Sequence, residues 1–218
     1  MTGTAITLAE LVSTQPAAAR VLHRWRLDFC CGGQRALAEA CATRGIDAGR
    51  VLAEIAEAEQ PPVDQPSDTS PAALVDFIIA RYHEPLRAEV PRLCELATKV
   101  ERVHAEKPTC PTGLAGHLDL MHEAIREHLA KEEQILFPLI RSGRAHLAHM
   151  PVRVMMQEHE DHAANLQRVR QLTCDLRVPE EACSSWRALY TGLHELELDL
   201  MKHIHLENNV LFPAVLRS

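Results

Sequence analysis

"HLAKEEQILFP" occupies residues 128–138 and "HIHLENNVLFP" occupies residues 203–213. Both spell His-x-x-x-Glu-x-x-x-Leu-Phe-Pro, 75 positions apart. On an α-helix, residues four apart differ by about 40° around the axis and stand ~6 Å apart along it. His128 and Glu132 therefore point the same way, as do His203 and Glu207. Ile125 and Leu136 flank the first pair, and Leu196 and Leu200 precede the second, so both pairs fall on apolar faces. A carboxylate turned into an apolar interior is costly unless it is paired or bound to metal. One such pair alone reads as a His–Glu hydrogen bond on a partly wet face. Its repetition, with a shared tail and further histidines, favours two pairs meeting inside one bundle. The tails read as structural: Phe137 and Phe212 plug the core, and the prolines mark where each helix weakens.

The surrounding chain reads as helical, so the expected fold class is all-α. Ser70-Pro71 is an N-cap followed by proline at the first helical position, opening a helix through "AALVDFIIARYHEPLRAEV". Pro85 and Pro91 are expected to kink or shorten it. A second helix spans about 112–140, with Gly143 as its stop. A third covers about 150–176, and a fourth runs from beyond Pro179 to the Pro213 region. Four such helices joined by short turns predict an antiparallel four-helix bundle. The polar, proline-rich stretch "EQPPVDQPSDTSP" (59–71) reads as a linker. It divides the chain into a small helical N-terminal domain (1–58), a linker (59–71) and the bundle (72–218).

Bulk properties exclude several function classes. The 218 residues carry a formal charge of −7 without a basic stripe, which argues against a nucleic-acid partner. No apolar run reaches the ~20 residues that span a bilayer, and the N-terminus lacks a signal-peptide pattern. A cytoplasmic protein without a membrane partner is expected. Seven cysteines, of which only Cys30 and Cys31 lie close together, form neither a disulfide framework nor a zinc ribbon. Cys41, Cys94, Cys110, Cys174 and Cys183 read as packing residues. Histidine is over-represented, at thirteen residues against eight aromatics.

Two further histidines fall on inward faces. In "MMQEHEDHAANL" (155–166), His159 is the expected inward residue and His162 its competitor; in the first helix, His83 lies beside Ile79 and Ala80. His104 stands apart, because 21 residues separate it from His83, or ~31 Å along a straight helix. Both reach one site only if the chain bends or reverses between them. Mixed imidazole and carboxylate donors suit iron, with manganese as a poorer second, rather than a tetrahedral zinc. Carboxylates from opposite helices can bridge two ions. Five histidines would split three and two, and one metal would keep an open position even with a shared oxo or hydroxo group. The ferritin-like alternative needs two Glu-x-x-His motifs, and the chain has one, at Glu101 and His104.

These residues resemble a known family. The bundle looks like a hemerythrin-like domain, and the whole chain resembles the di-iron proteins that repair iron–sulfur clusters. The likeness rests on "DFCCGG" (28–33), "RYHEPLR" (81–87), "KVERVHAEKP" (99–108), "KEEQILFP" (131–138) and "HLENNVLFP" (205–213), in that order. It implies a centre of two iron ions, oxo- or hydroxo-bridged, with ligands at His83, His104, His128, Glu132, His159, His203 and Glu207. Glu132 and Glu207 would be the bridges. It also makes Cys30 and Cys31 characteristic of the N-terminal domain. They are expected in a turn freed by Gly32 and Gly33, exposed near a helix N-terminus that favours thiolate. There they would handle iron, sulfur or a nitrosyl group, or contact the client.

Three functions follow as expectations. The first is repair of iron–sulfur clusters after oxidative or nitrosative stress by iron donation, with iron–sulfur proteins as clients. The second is an enzyme acting on nitric oxide or peroxide at the open position. The third, which the Cys-Cys segment does not help, is oxygen carriage or sensing. The chain is expected to be a monomer or homodimer.

Overall fold

A computed structural model describes residues 6–59 and 68–217. The expected linker falls largely on 60–67, outside the described residues. The described residues are helical throughout, with a single isolated antiparallel bridge between Thr7 and Ala36.

Four short helices make the N-terminal unit: α1 (Leu8–Thr14), α2 (Ala18–Arg24), α3 (Leu37–Ala42) and α4 (Ala48–Glu57). The first opens on a capping box, in which the Thr7 hydroxyl accepts from the Glu10 N–H while the Glu10 carboxylate accepts from the Thr7 N–H.

The bundle follows. Its first arm joins α5 (Pro71–Ile78) to α6 (Glu84–His104), its second joins α7 (Leu114–Lys131) to α8 (Phe137–Arg141), its third is α9 (His149–Leu172), and its fourth joins α10 (Ser184–Leu206) to α11 (Phe212–Leu216). Helix α6 packs on α7 and α10, and α9 packs on both of those, which closes the ring. Gly192 permits the α6–α10 approach, since a Cβ there would stand 2.7 Å from the Leu93 side chain. Ser70 caps α5 by accepting from the Ala73 N–H, and Gly143 ends the second arm at φ +69°, both as the sequence predicts.

The prolines do something other than break helices. Three five-residue π-turns, Ile79–His83, Glu132–Leu136 and Glu207–Leu211, interrupt three of the four arms. Each is closed by an N–H reaching back five residues: Glu84 to Ile79, Phe137 to Glu132 and Phe212 to Glu207. Pro85, Pro138 and Pro213 come one residue after those donors. Proline lacks an N–H and its ring clashes with the carbonyl four residues back; a widened turn just before it absorbs both defects. Pro91 lies inside α6 without ending it. The third arm is shorter than expected: Cys174, Asp175 and Leu176 leave the helix with φ of +50°, +68° and +58°.

The N-terminal unit and the lower bundle share one core, which runs from Leu8, Leu22, Phe29 and Ile55 to Leu93, Leu118, Trp186 and Leu200. A second core, with Leu74, Ile78, Phe137, Val152 and Phe212, closes the other end. Polar contacts fix the docking. Buried His23 lies 3.1 Å from Glu197, which also pairs with Arg170, and Arg26 reaches Asp175 at 2.8 Å. His205 meets the Phe29 carbonyl and the Ser13 hydroxyl, each at 3.3 Å. Among the described residues no helix is long and apolar enough to cross a membrane.

Candidate metal centre

The π-turns bring the repeated motifs together between the two cores. His83 ends the first turn, while Glu132 and Glu207 begin the other two; His128 and His203 lie one turn earlier on α7 and α10, and His159 faces them from α9. Two groups form around the shared carboxylates. His83 and His203 converge with Glu132 and Glu207 on one side, and His128 and His159 converge with the same carboxylates on the other, with ligand atoms within 4.8 Å in each group. All six residues are buried, five of them at 0 % exposure.

Every imidazole turns Nε2 inward. His83 Nε2 lies 3.4 Å from Glu132 and 3.2 Å from His203 Nε2. His128 Nε2 lies 3.5 Å from Glu132, and Glu207 lies 3.1 Å from His159 Nε2 and 3.2 Å from His203 Nε2. Three outer nitrogens are tied to partners: His83 Nδ1 to Glu133 at 2.7 Å, His128 Nδ1 to Glu158 at 2.9 Å, and His159 Nδ1 to Asn208 at 2.8 Å. Those contacts fix ring orientation, as partners of metal-bound histidines do. Aromatic rings wall the site, Phe137 stacking on His83, Tyr82 on His203 and Phe212 on His159.

The electrostatics call for a cation. The carboxylate–imidazole contacts lack hydrogen-bond geometry, so all four oxygens of Glu132 and Glu207, with Nε2 of His128 and His159, are buried without a hydrogen-bond partner. That is costly for polar groups and more so for charged ones. Burial, and then the charge of Glu207, push the Glu132 carboxyl well up. Burial opposes ionisation of Glu207 as well, but His203 and His159 reverse it. The two carboxyls are thus driven in opposite directions, and a bound cation would favour the ionised form of both. Burial pushes His83 down to about 4 and also lowers His128, so both offer neutral lone pairs. Imidazole and carboxylate donors of this kind suit first-row cations of intermediate softness.

His104 is the exception among the seven expected ligands. Helix α6 runs unbroken from Glu84 to His104, so the bend that would return it to the site does not occur. His104 instead contacts Cys183 Sγ at 3.2 Å and the Trp186 ring at 4.9 Å. With it gone, the expected three-and-two split of histidines becomes two and two. Glu133, Glu158 and Asn208 were not anticipated, although each is a sequence neighbour of an expected ligand.

The cysteine expectations also need correction. Cys30 is buried and Cys31 half-buried, and the next helix starts only at Leu37, so no helix N-terminus acts on either thiol. The hydrogen bond with Cys31, then burial and the Asp28 charge, hold the Cys30 thiol well above its usual range. Cys30 Sγ lies 3.2 Å from the Asp28 carboxylate and 3.9 Å from Cys31 Sγ, and the three residues form a small cluster of possible ligands. The Asp28 carboxylate also accepts from the N–H groups of Cys30, Cys31 and Gly32. Gly33 has no room for a side chain, because a Cβ would stand 2.7 Å from the Phe29 carbonyl and 2.8 Å from Asn209. Cys41 and Cys94 are buried as expected of packing residues, whereas Cys174 and Cys183 are exposed.

A helical bundle holding paired histidines around two shared carboxylates is the arrangement of hemerythrin-like proteins, and residues 75–215 match the hemerythrin HHE cation binding domain. Residues 5–59 match the domain of unknown function DUF542, also called ScdA_N. Proteins named iron-sulfur cluster repair protein YtfE from Citrobacter koseri, Escherichia coli and Escherichia fergusonii are each 43 % identical over 210 residues, covering 96 % of both chains. The chain belongs to this family of iron–sulfur cluster repair proteins with a hemerythrin-like domain.

Proposed function

We propose that this protein repairs damaged iron–sulfur clusters by donating iron from a di-iron centre. The ligands in this reading are His83 and His203 for one ion, His128 and His159 for the other, and Glu132 and Glu207 as bridges. The carrying observation is the pair of fully buried carboxylates, shared by two histidine pairs and left without hydrogen-bond partners. The relatives named as repair proteins support the same reading over nearly the whole chain.

Bound iron would supply exchangeable ferrous ions and an open coordination position. The protein's own groups set how tightly it is kept. Neutral imidazoles offset none of the metal's positive charge, so that falls to the two carboxylates, and burial with the Glu207 charge disfavours an ionised Glu132 once the ions leave. Glu133, Glu158 and Asn208 hold the rings in place while the ions come and go. Cys30 and Cys31 are assigned to receiving iron or to meeting the client, with a cytoplasmic setting and iron–sulfur proteins as partners. Action on nitric oxide at the open position is compatible with the same centre.

The test is anaerobic transfer from the reduced, iron-loaded protein to an apo-cluster acceptor. Transfer faster than release to a chelator is expected, with a slower rate in Cys30→Ser/Cys31→Ser. Equal rates with and without the acceptor would remove the donor role.

A further inference from the structure

His162 is a buried imidazole beside the proposed centre that the centre leaves unused. It is 3 % exposed, and neither ring nitrogen has a hydrogen-bond partner. An imidazole always carries at least one N–H, and burying such a donor unpaired is costly, so the position makes sense only if something else supplies an acceptor. The ring stands edge-on to His128, with centroids 4.9 Å apart at 87°. That spacing matches the 5.0 Å between His128 and His159. His162 is nevertheless outside the group of residues whose ligand atoms already converge there, which places it one layer out.

The two halves of the centre differ in this respect. His83 and His203 are faced by Phe137 and Tyr82, while His159 is faced by Phe212. Only the His128/His159 side has, among the described residues, an additional imidazole with both nitrogens free. Each ion in the proposed centre has two imidazoles and two carboxylate oxygens, so octahedral preference leaves room for a small ligand from outside.

We propose that His162 is the hydrogen-bonding wall of the open position on the His128/His159 side, where its ring N–H holds a small exogenous ligand with an acceptor atom. Ligands of this class are hydroxide, azide and nitric oxide. The two iron positions are then inequivalent, and exogenous ligands enter on this side. The inference rests on the di-iron reading above.

Azide is the probe. The oxidised, iron-loaded full chain is titrated with azide, following the ligand-to-metal absorption band, for wild type, His162→Leu and His162→Gln. Iron content is measured in parallel. Loss of one hydrogen bond to an anion should weaken azide binding in His162→Leu on the order of 10-fold or more, and His162→Gln should stay within about threefold of wild type. Both variants should keep the wild-type iron content. In metal-free protein His162→Leu should melt no lower than wild type, because an unpaired buried donor is removed.

Unchanged azide affinity in His162→Leu overturns the proposal, as does wild type that holds two irons without binding azide. Loss of an iron in His162→Leu would make His162 a ligand itself, and a lower melting temperature of the metal-free variant would make it a packing residue; either overturns the wall. Wild type without two irons would instead remove the di-iron reading.

Discussion

The side-chain amide of Asn209 donates to the Cys30 carbonyl at 3.0 Å, and Asn209 sits in the same π-turn that begins at Glu207. The loop bearing the two thiols is therefore stapled to the turn bearing one proposed bridging carboxylate. Gln34 adds a second tie, its side-chain amide donating to Asn209 Oδ1 at 3.0 Å.

Breaking the staple should free the thiol loop. Asn209→Ala leaves the Cys30 carbonyl without that partner, at a cost of about 1–2 kcal/mol. Faster labelling of Cys30 and Cys31 by a thiol reagent is expected in the metal-free protein, together with a lower melting temperature. Wild-type labelling kinetics in the variant would mean that the loop is held by its apolar packing alone.

His104 should be dispensable for metal. Its contacts are with Cys183 and Trp186 at the far end of α6, so His104→Ala should leave iron content and spectrum unchanged while lowering stability by removing packing. Loss of an iron from this variant would show that the helix bends in solution.

Ring-orienting partners should tune affinity without abolishing it. Glu158→Leu and Asn208→Leu remove contacts to the outer nitrogens of His128 and His159. Losses of roughly 10- to 100-fold in metal affinity are expected in chelator competition, in line with other metal sites. Full affinity in both variants would mean that packing alone orients the rings.

Acid should destabilise the metal-free protein in two stages. Burial holds His83 and His205 at about 4 and His162 at about 3, whereas unfolding returns each to ~6.5. Between those values the unfolded chain binds more protons than the folded one, so stability falls as pH falls. The hydrogen bond from His128 holds Glu158 at about 2, with Lys131 helping. Its stabilisation is present above ~4.5 and is lost as pH drops through that lower value. The raised Glu132 carboxyl acts in the opposite sense over this range, so the test uses metal-free Glu132→Leu. Its urea midpoints at about pH 7.5, 6 and 5 should decline steadily; a constant midpoint in that variant would contradict the histidine shifts.

The bundle was legible because its signals are periodic. Apolar residues three and four apart defined each arm, and the repeated His-x-x-x-Glu put imidazole and carboxylate on one face. The π-turns were not legible: Pro85, Pro138 and Pro213 read as weak points, although each follows a widened turn that lets its helix continue. Glu133, Glu158 and Asn208 were missed because straight-helix geometry points a ligand's immediate neighbour about 100° away from it. All three nevertheless reach a ring belonging to another arm. For His104 the spacing from His83 gave the better guide, and the resemblance pointed the other way. His162 was visible only as a competitor to His159, since both share a face and periodicity does not separate a ligand from its neighbour one layer out.

Metal content and absorption of anaerobically purified protein, compared with Glu132→Leu/Glu207→Leu, test the central claim most directly. About two irons per chain are predicted for wild type, with the bridged-iron absorption that appears on oxidation lost in the variant. The metal-free variant should melt higher than metal-free wild type, because two buried carboxyls without hydrogen-bond partners have been removed. One zinc per chain, or no metal in wild type with equal melting temperatures, would mean that the repeated motif packs the bundle and does not bind iron.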